Sequence, residues 1–126
     1  MKVKNSEIWN AKEPLQTISE LKFPVKTSLQ MARLINKIQE EYQIIDQVRI
    51  GLIRKHGEKD EIGNITVVGP NDSQNRKMSP NWNKFAEEFS VLMDQDTEIV
   101  FDKIKLPETL EIESSILVNL EKFIEA

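Results

Sequence analysis

The most constraining feature of this sequence is a stretch from Thr27 to Gly57 in which apolar side chains recur every three or four positions. That spacing is helical rather than strand-like. Pro24 upstream and the capping-box pair Thr27 and Gln30 predict the start of the helix, and Gly57 predicts its end. Such a helix spans on the order of 45 Å, so shorter elements must pack along it. Its apolar positions are Met31, Leu34, Ile35, Ile38, Tyr42, Ile45, Val48 and Leu52.

The length and the lack of cysteine limit the possible classes of protein. We predict a single domain over residues 1–126, because 126 residues can bury a core without disulfides or metal. With no cysteine, thiol nucleophiles, thiolate metal sites and disulfides are excluded. No apolar run matches a signal peptide or the ~20 residues of a membrane span, so we expect a soluble, cytoplasmic protein without membrane contact.

The charges are distributed unevenly along the chain. Residues 1–59 hold 11 Lys and Arg against 7 Asp and Glu, whereas residues 87–126 hold 3 against 11. Two interpretations remain open. The two ends complement each other within one fold, or the acidic part is a face for a basic partner.

The N-terminal third predicts a helical hairpin. Residues 1–4 suit a short edge strand, and Asn5 or Ser6 can cap a first helix. Pro14 interrupts that helix, so we expect a kink or two short helices there. The short connection to the long helix favours an antiparallel pair with facing apolar stripes.

The remaining chain predicts strands and two more helices. Residues 65–68 and 97–106 read as strands, and residues 69–77 as a mobile surface loop. Ser79 and Pro80 open a core helix to about Asp94, and Glu113 or Ser114 caps a last one that continues to Ile124. The predicted fold is therefore α+β, a long helical hairpin with a small antiparallel sheet and two further helices.

Four segments of the sequence occur together in a recognisable order. They are MKVKNSEI at residues 1–8, FPVK at 23–26, GEKDE at 57–61 with Gly63 and Asn64, and IKL at 104–106. Together they resemble a family of small phage and prophage proteins of Gram-positive bacteria that is known only as a domain of unknown function. The resemblance covers almost the whole chain and implies a phage or prophage origin, in the cytoplasm of a bacterial host, without implying a mechanism.

The sequence does not bring together a catalytic, cofactor or metal site. The only histidine, His56, lies in the last turn of the long helix, where a cationic ring would offset the helix dipole. Asp94, Asp96 and Glu98 imitate the first ligands of a calcium loop, but Ile99 replaces the required glycine. A glycine-rich phosphate loop and a nucleophile triad are also missing. We therefore predict no enzyme activity, no cofactor and no metal.

A basic cluster raises the possibility of nucleic-acid binding. Its members are Arg49, Arg54, Lys55 and Lys59 near the end of the long helix. A basic helix end that complements the dipole explains them more simply, since the sequence pI is about 5.1 and aromatic side chains are not interleaved with these bases. Conversely, the acidic C-terminal third could imitate DNA.

The long helix is also the predicted site of self-association. Its apolar band is broader than one short helix can cover, so the other helices of the chain or a second copy must cover the rest. We favour a homodimer with Ile44, Ile50 and Ile53 in the interface, because they lie off the main stripe.

The predicted function is non-catalytic protein–protein interaction in a phage life cycle. The protein partner, from the phage or the host, is unknown, so assembly accessory and inhibitor of a host protein both remain open. The alternatives are a nucleic-acid-binding regulator, an acidic DNA mimic and a small enzyme that works through carboxylates.

Overall fold

The computed structural model describes residues 1–107 and 109–125, and these form four helices and six short strands. The described residues fall into two compact units. The first unit contains residues 1–43 and the residues from 96 onward, and the second contains residues 44–95, so α2 contributes to both. The elements are β1 Lys2–Lys4, α1 Asn5–Ser19, α2 Val25–His56, β2 Glu58–Lys59, β3 Ile65–Thr66, α3 Trp82–Asp94, β4 Asp96–Glu98, β5 Ile104–Lys105, α4 Ser114–Val118 and β6 Ile124–Glu125.

The first unit contains the predicted helical hairpin of an α+β fold. Trp9 of α1 stacks on Tyr42 of α2 with ring centroids 4.3 Å apart, and Lys12 Nζ lies 4.1 Å from the centre of the Tyr42 ring. At the other end of α1, Ser19 lines the same cavity as Ile35 of α2. The end of α1 therefore lies beside the earlier part of α2, which is an antiparallel arrangement.

The core lies almost entirely in the first unit. The apolar stripes of α1 and α2 meet there with side chains from β1, β5 and the C-terminal segment. Burial of each such side chain contributes roughly 1.5–3 kcal/mol. The buried apolar residues of this unit are Val3, Ile8, Ala11, Leu15, Ile18, Met31, Leu34, Ile38, Ile99, Ile104, Leu120 and Phe123.

Two expectations about the helices are corrected. The helix α2 begins at Val25, two residues before the predicted cap, because the Pro24 carbonyl already accepts the Ser28 N–H at 2.9 Å. Of the two alternatives predicted at Pro14, the pair of short helices is wrong, because α1 is one helix that contains Pro14, and the kink stays a prediction. Asn10, whose carbonyl loses its helical donor at Pro14, is exposed and can be hydrated.

The strands form three separate two-stranded ladders instead of one small sheet. β1 pairs with β4, and β2 with β3, both antiparallel, while β5 pairs with β6 in parallel. The predicted strand over residues 97–106 is divided into β4 and β5, which pair with different strands, and Lys37 Nζ binds the Val100 carbonyl between them. No strand was predicted at β2, and Ile124 of β6 was predicted in the last helix, which ends at Val118.

The second unit has a much smaller core. Its only buried apolar side chains are Ile45 and Val68, and α3, expected to be a core helix, has no fully buried residue. Ser79 does not open α3. It is buried against Val68, whose N–H donates to Ser79 Oγ at 2.8 Å and whose carbonyl accepts the Ser79 N–H at 3.0 Å. Because Ser79 is held there, α3 begins at Trp82.

The helices were also compared with the requirements for a membrane span. Among the described residues, each helix is too short or too polar to cross a bilayer.

Candidate functional site

An apolar groove, which we call the C-terminal groove, opens on the first unit. It encloses about 740 Å³, and seven of its nine lining residues are apolar. Val118 at its side is 70% exposed. The lining residues are Leu106, Pro107, Leu110, Ile112, Ser114, Leu117, Val118, Glu121 and Ile124.

Parallel pairing of β5 and β6 positions the two sides of this groove. The Ile104 N–H donates to the Phe123 carbonyl at 3.0 Å, and the Leu106 N–H donates to the Glu125 carbonyl at 3.2 Å. The buried ring of Phe123 contacts the ring of Phe101, with centroids 5.3 Å apart. These contacts hold Leu106 and Ile124 at the groove. The buried Phe123 connects this part of the chain to the core of the first unit.

The chain segment that forms most of the groove is acidic. Residues 106–121 contain four glutamates and neither lysine nor arginine. Of these glutamates, Glu121 lines the groove, and Glu111 and Glu113 are exposed between lining residues. The described lining is therefore mostly apolar, with the carboxylates Glu111, Glu113 and Glu121 in or beside it.

A second exposed apolar surface lies on α2 within the second unit. Ile44 is 55% and Val48 is 45% exposed, and Gly51 has no atom within 4 Å of the position where a Cβ would lie. We call these three residues the α2 stripe, since their spacing places them on one helix face. Of the residues predicted for a dimer interface, Ile44 belongs to this stripe. Ile50 and Ile53 are half-buried, and helical spacing places them away from that face.

The four residues of the predicted basic cluster differ in their surroundings. Arg49 donates to Asp46 Oδ1 at 2.8 Å, and Lys55 donates to Glu88 Oε1 at 3.0 Å, so two of the four charges are compensated. Arg54 and Lys59 are exposed. The role of the cluster in nucleic-acid binding stays a prediction.

Sequence reasoning missed the carboxylate partner of His56. His56 is buried, and its Nε2 lies 2.7 Å from Glu88 Oε2. The hydrogen bonds from His56 and Lys55 lower the pKa of Glu88. No signal in the sequence indicated this contact, because no local pattern links Glu88 to a histidine 32 positions earlier.

The cleft around this pair is polar but has few groups for catalysis. Its lining residues are Lys55, His56, Lys84, Glu87, Glu88 and Val91. No hydroxyl or thiol is among them, so the histidine has no nucleophile to activate there. The described residues contain no group of three or more histidine or carboxylate side chains that could hold a metal ion. The contact is best explained as a link between α2 and α3.

Comparison with models of protein families, with curated proteins and with solved structures finds no match to this chain. The resemblance to the phage protein family therefore stays a prediction.

Proposed function

We propose that this chain is a non-catalytic protein–protein interaction protein that works as a homodimer. The observation that supports the proposal is the imbalance of the second unit, which buries only the apolar side chains Ile45 and Val68 while α2 exposes Ile44 and Val48. Units this small are marginally stable unless a partner covers apolar surface. A second copy packed on the α2 stripe would supply that cover.

The charges along α2 favour a second copy in antiparallel orientation. Glu41 lies seven residues before Val48 and Lys55 lies seven residues after it, on the same helix face. A two-fold axis at Val48 would bring Glu41 of one copy opposite Lys55 of the other, where Glu41 would join Glu88 as a second carboxylate near the Lys55 ammonium. A parallel pair would instead place like charges together. Gly51, without a side chain, would let the two helices approach closely.

Sedimentation equilibrium over a range of protein concentrations tests the homodimer. We expect twice the chain mass at high micromolar concentration and a shift to the monomer on Ile44→Asp or Val48→Asp, because a buried aspartate would be unpaired. Val25→Asp is the matched control. Val25 is 86% exposed, lies on the same helix and is outside the stripe, so this change should leave the mass unaltered.

The proposal fails if the wild-type chain is monomeric at high micromolar concentration. It also fails in its assignment of the surface if the dimer survives both aspartate substitutions. Far-ultraviolet circular dichroism of each variant checks that any loss of dimer is not a loss of fold.

The proposed biological setting is a phage life cycle in the cytoplasm of a bacterial host, on the basis of the sequence resemblance alone. Within it, the dimer would act as an accessory of virion assembly or as an inhibitor of a host protein. Location of the gene among virion structural genes would support the first role. Location among genes expressed early in infection would support the second.

A further inference from the structure

We infer that the C-terminal groove binds an amphipathic helix of a protein partner, one that is apolar on one face and carries lysine or arginine beside that face. The inference rests on the proposed function, because it assigns the surface through which the chain would recognise another protein. It concerns the first unit and is independent of the α2 stripe. The two proposals can therefore fail separately.

The lining of the groove favours a helix over an extended peptide. Among the described residues that line the groove, Ser114 and Glu121 are the only ones with polar side chains. An extended peptide would need partners for its backbone N–H and C=O groups, whereas a helix satisfies most of these groups internally. Amphipathic helices bind apolar grooves in this way through side chains spaced three and four residues apart.

The size and exposure of the groove suit such an occupant. Its volume of about 740 Å³ can take several apolar side chains. Val118 is exposed enough to contact an incoming side chain without movement of the fold, while Leu106 and Leu117 are half-buried beneath it. An exposed apolar surface bordered by charged groups is a common feature of protein-binding sites.

The charge of the groove selects a basic occupant. Among the described residues, Glu121 lines the groove and Glu111 and Glu113 are exposed between lining residues, while Lys105 and Lys122 flank the segment on either side. A partner with lysines flanking its apolar face would be attracted, and an acidic partner would be repelled. The same argument disfavours a fatty acid, since its carboxylate would meet Glu121.

A synthetic peptide provides the first test. The probe is a fluorescein-labelled helix of about 18 residues, or five turns, with leucine on one face and lysine beside it. We expect saturable binding to the full chain by fluorescence anisotropy, weaker in higher salt because the flanking charges are screened. A peptide with glutamate in place of every lysine is the control and should not bind.

Two substitutions test whether the peptide binds in the groove. Val118→Asp and Glu121→Lys should each weaken binding by about tenfold or more, the first by placing a charge in the apolar contact and the second by repulsion. The matched controls are Val100→Asp, at a residue 78% exposed, and Asp102→Lys, at an exposed carboxylate. Both lie in the first unit outside the groove lining and should leave the affinity unchanged.

The outcomes separate this inference from the proposed function. No binding of the lysine peptide, or equal affinity for the wild type and Val118→Asp, overturns the groove assignment. Equal loss with Asp102→Lys and Glu121→Lys would show a general attraction to the acidic surface, which also overturns it. If the peptide binds as expected but sedimentation shows a monomer, the groove assignment is supported and the homodimer is rejected.

Discussion

The imidazole Nε2 of His56 lies 2.7 Å from Oε2 of Glu88 and joins the end of α2 to the middle of α3. His56 is buried, whereas the Glu88 side chain is 40% exposed and also accepts a hydrogen bond from Lys55. The second unit has few buried apolar side chains. This polar contact should therefore contribute a large part of the interaction between its helices.

Removal of the Glu88 carboxylate is expected to destabilise the second unit. In Glu88→Ala, the buried His56 ring loses its carboxylate partner, so the free energy of unfolding should fall. Urea unfolding measures the change in free energy. Glu87→Ala is the matched control, because Glu87 is an exposed neighbour on the same helix. Equal effects of the two substitutions would show that helix propensity, not the contact with His56, explains the loss.

A pH titration of the Asp72 carboxylate tests the order of the loop before α3. Asp72 accepts hydrogen bonds from the Arg76 backbone N–H at 2.8 Å and from the guanidinium at 3.0 and 3.1 Å. The Arg76 side chain lowers the pKa of Asp72 from 3.8 to about 2. Because the folded pKa is the lower one, the ion pair stabilises the loop above pH 3.8, and this contribution is lost as the pH falls towards 2.

Nuclear magnetic resonance of the Asp72 side chain should give a midpoint near 2, and Arg76→Gln should return it towards 3.8. A wild-type midpoint close to 3.8 would mean that the loop does not hold this contact in solution. The sequence predicted a mobile segment at residues 69–77, and the same titration tests that prediction.

Substitution of Gly57 is expected to separate α2 from β3. A Cβ at this position would lie 2.5 Å from the Ile53 carbonyl oxygen, 2.7 Å from the Thr66 carbonyl oxygen and 2.9 Å from Ile65 Cγ2. Two of these are backbone atoms that cannot rotate away, so Gly57→Ala should cost about 1–3 kcal/mol in urea unfolding. A loss of only a few tenths of a kcal/mol would show that β3 lies further from α2.

The sequence predicted the helices far better than the strands because helices are encoded locally. Apolar positions three and four residues apart identified α1, α2 and α3 without knowledge of the rest of the chain. Strand pairing is not local: Lys2 pairs with Glu98, and Ile104 pairs with Ile124. The elements β2 and β6 have two residues each, too few for an alternating pattern.

The candidate surfaces show the same limit. Ile44 was identified from its position off the main helical stripe, which is local information. The C-terminal groove was not, because Leu106 was predicted to end a strand whereas Leu117 and Ile124 were predicted to lie in a longer last helix. The pairing of β5 with β6, which sets Ile104 opposite Ile124, brings Leu106 and Ile124 to the same groove. The excess of glutamate suggested a basic partner or an imitation of DNA, but without the groove it indicated no particular binding surface.

Gly51 provides the most direct link between stability and self-association. A glycine in a helix interior destabilises the helix by about 0.5–1 kcal/mol relative to alanine, and apart from the neighbouring residues and backbone of α2 itself, no described atom lies within 4 Å of the missing Cβ. In dilute solution, where the proposed dimer would dissociate, Gly51→Ala should therefore raise the free energy of unfolding by that amount. At high micromolar concentration the added methyl should separate the two crossing helices and weaken the dimer.

Urea unfolding of both forms at two protein concentrations distinguishes these effects. The wild-type chain should gain stability with concentration, as dimers do, and Gly51→Ala should gain less. Gly63→Ala is not a suitable control, because Gly63 has a φ of 89° that alanine rarely adopts. Ser90→Ala, at an exposed position of α3, tests helix propensity alone. If Gly51→Ala raises stability equally at both concentrations, the two helices do not cross at Gly51.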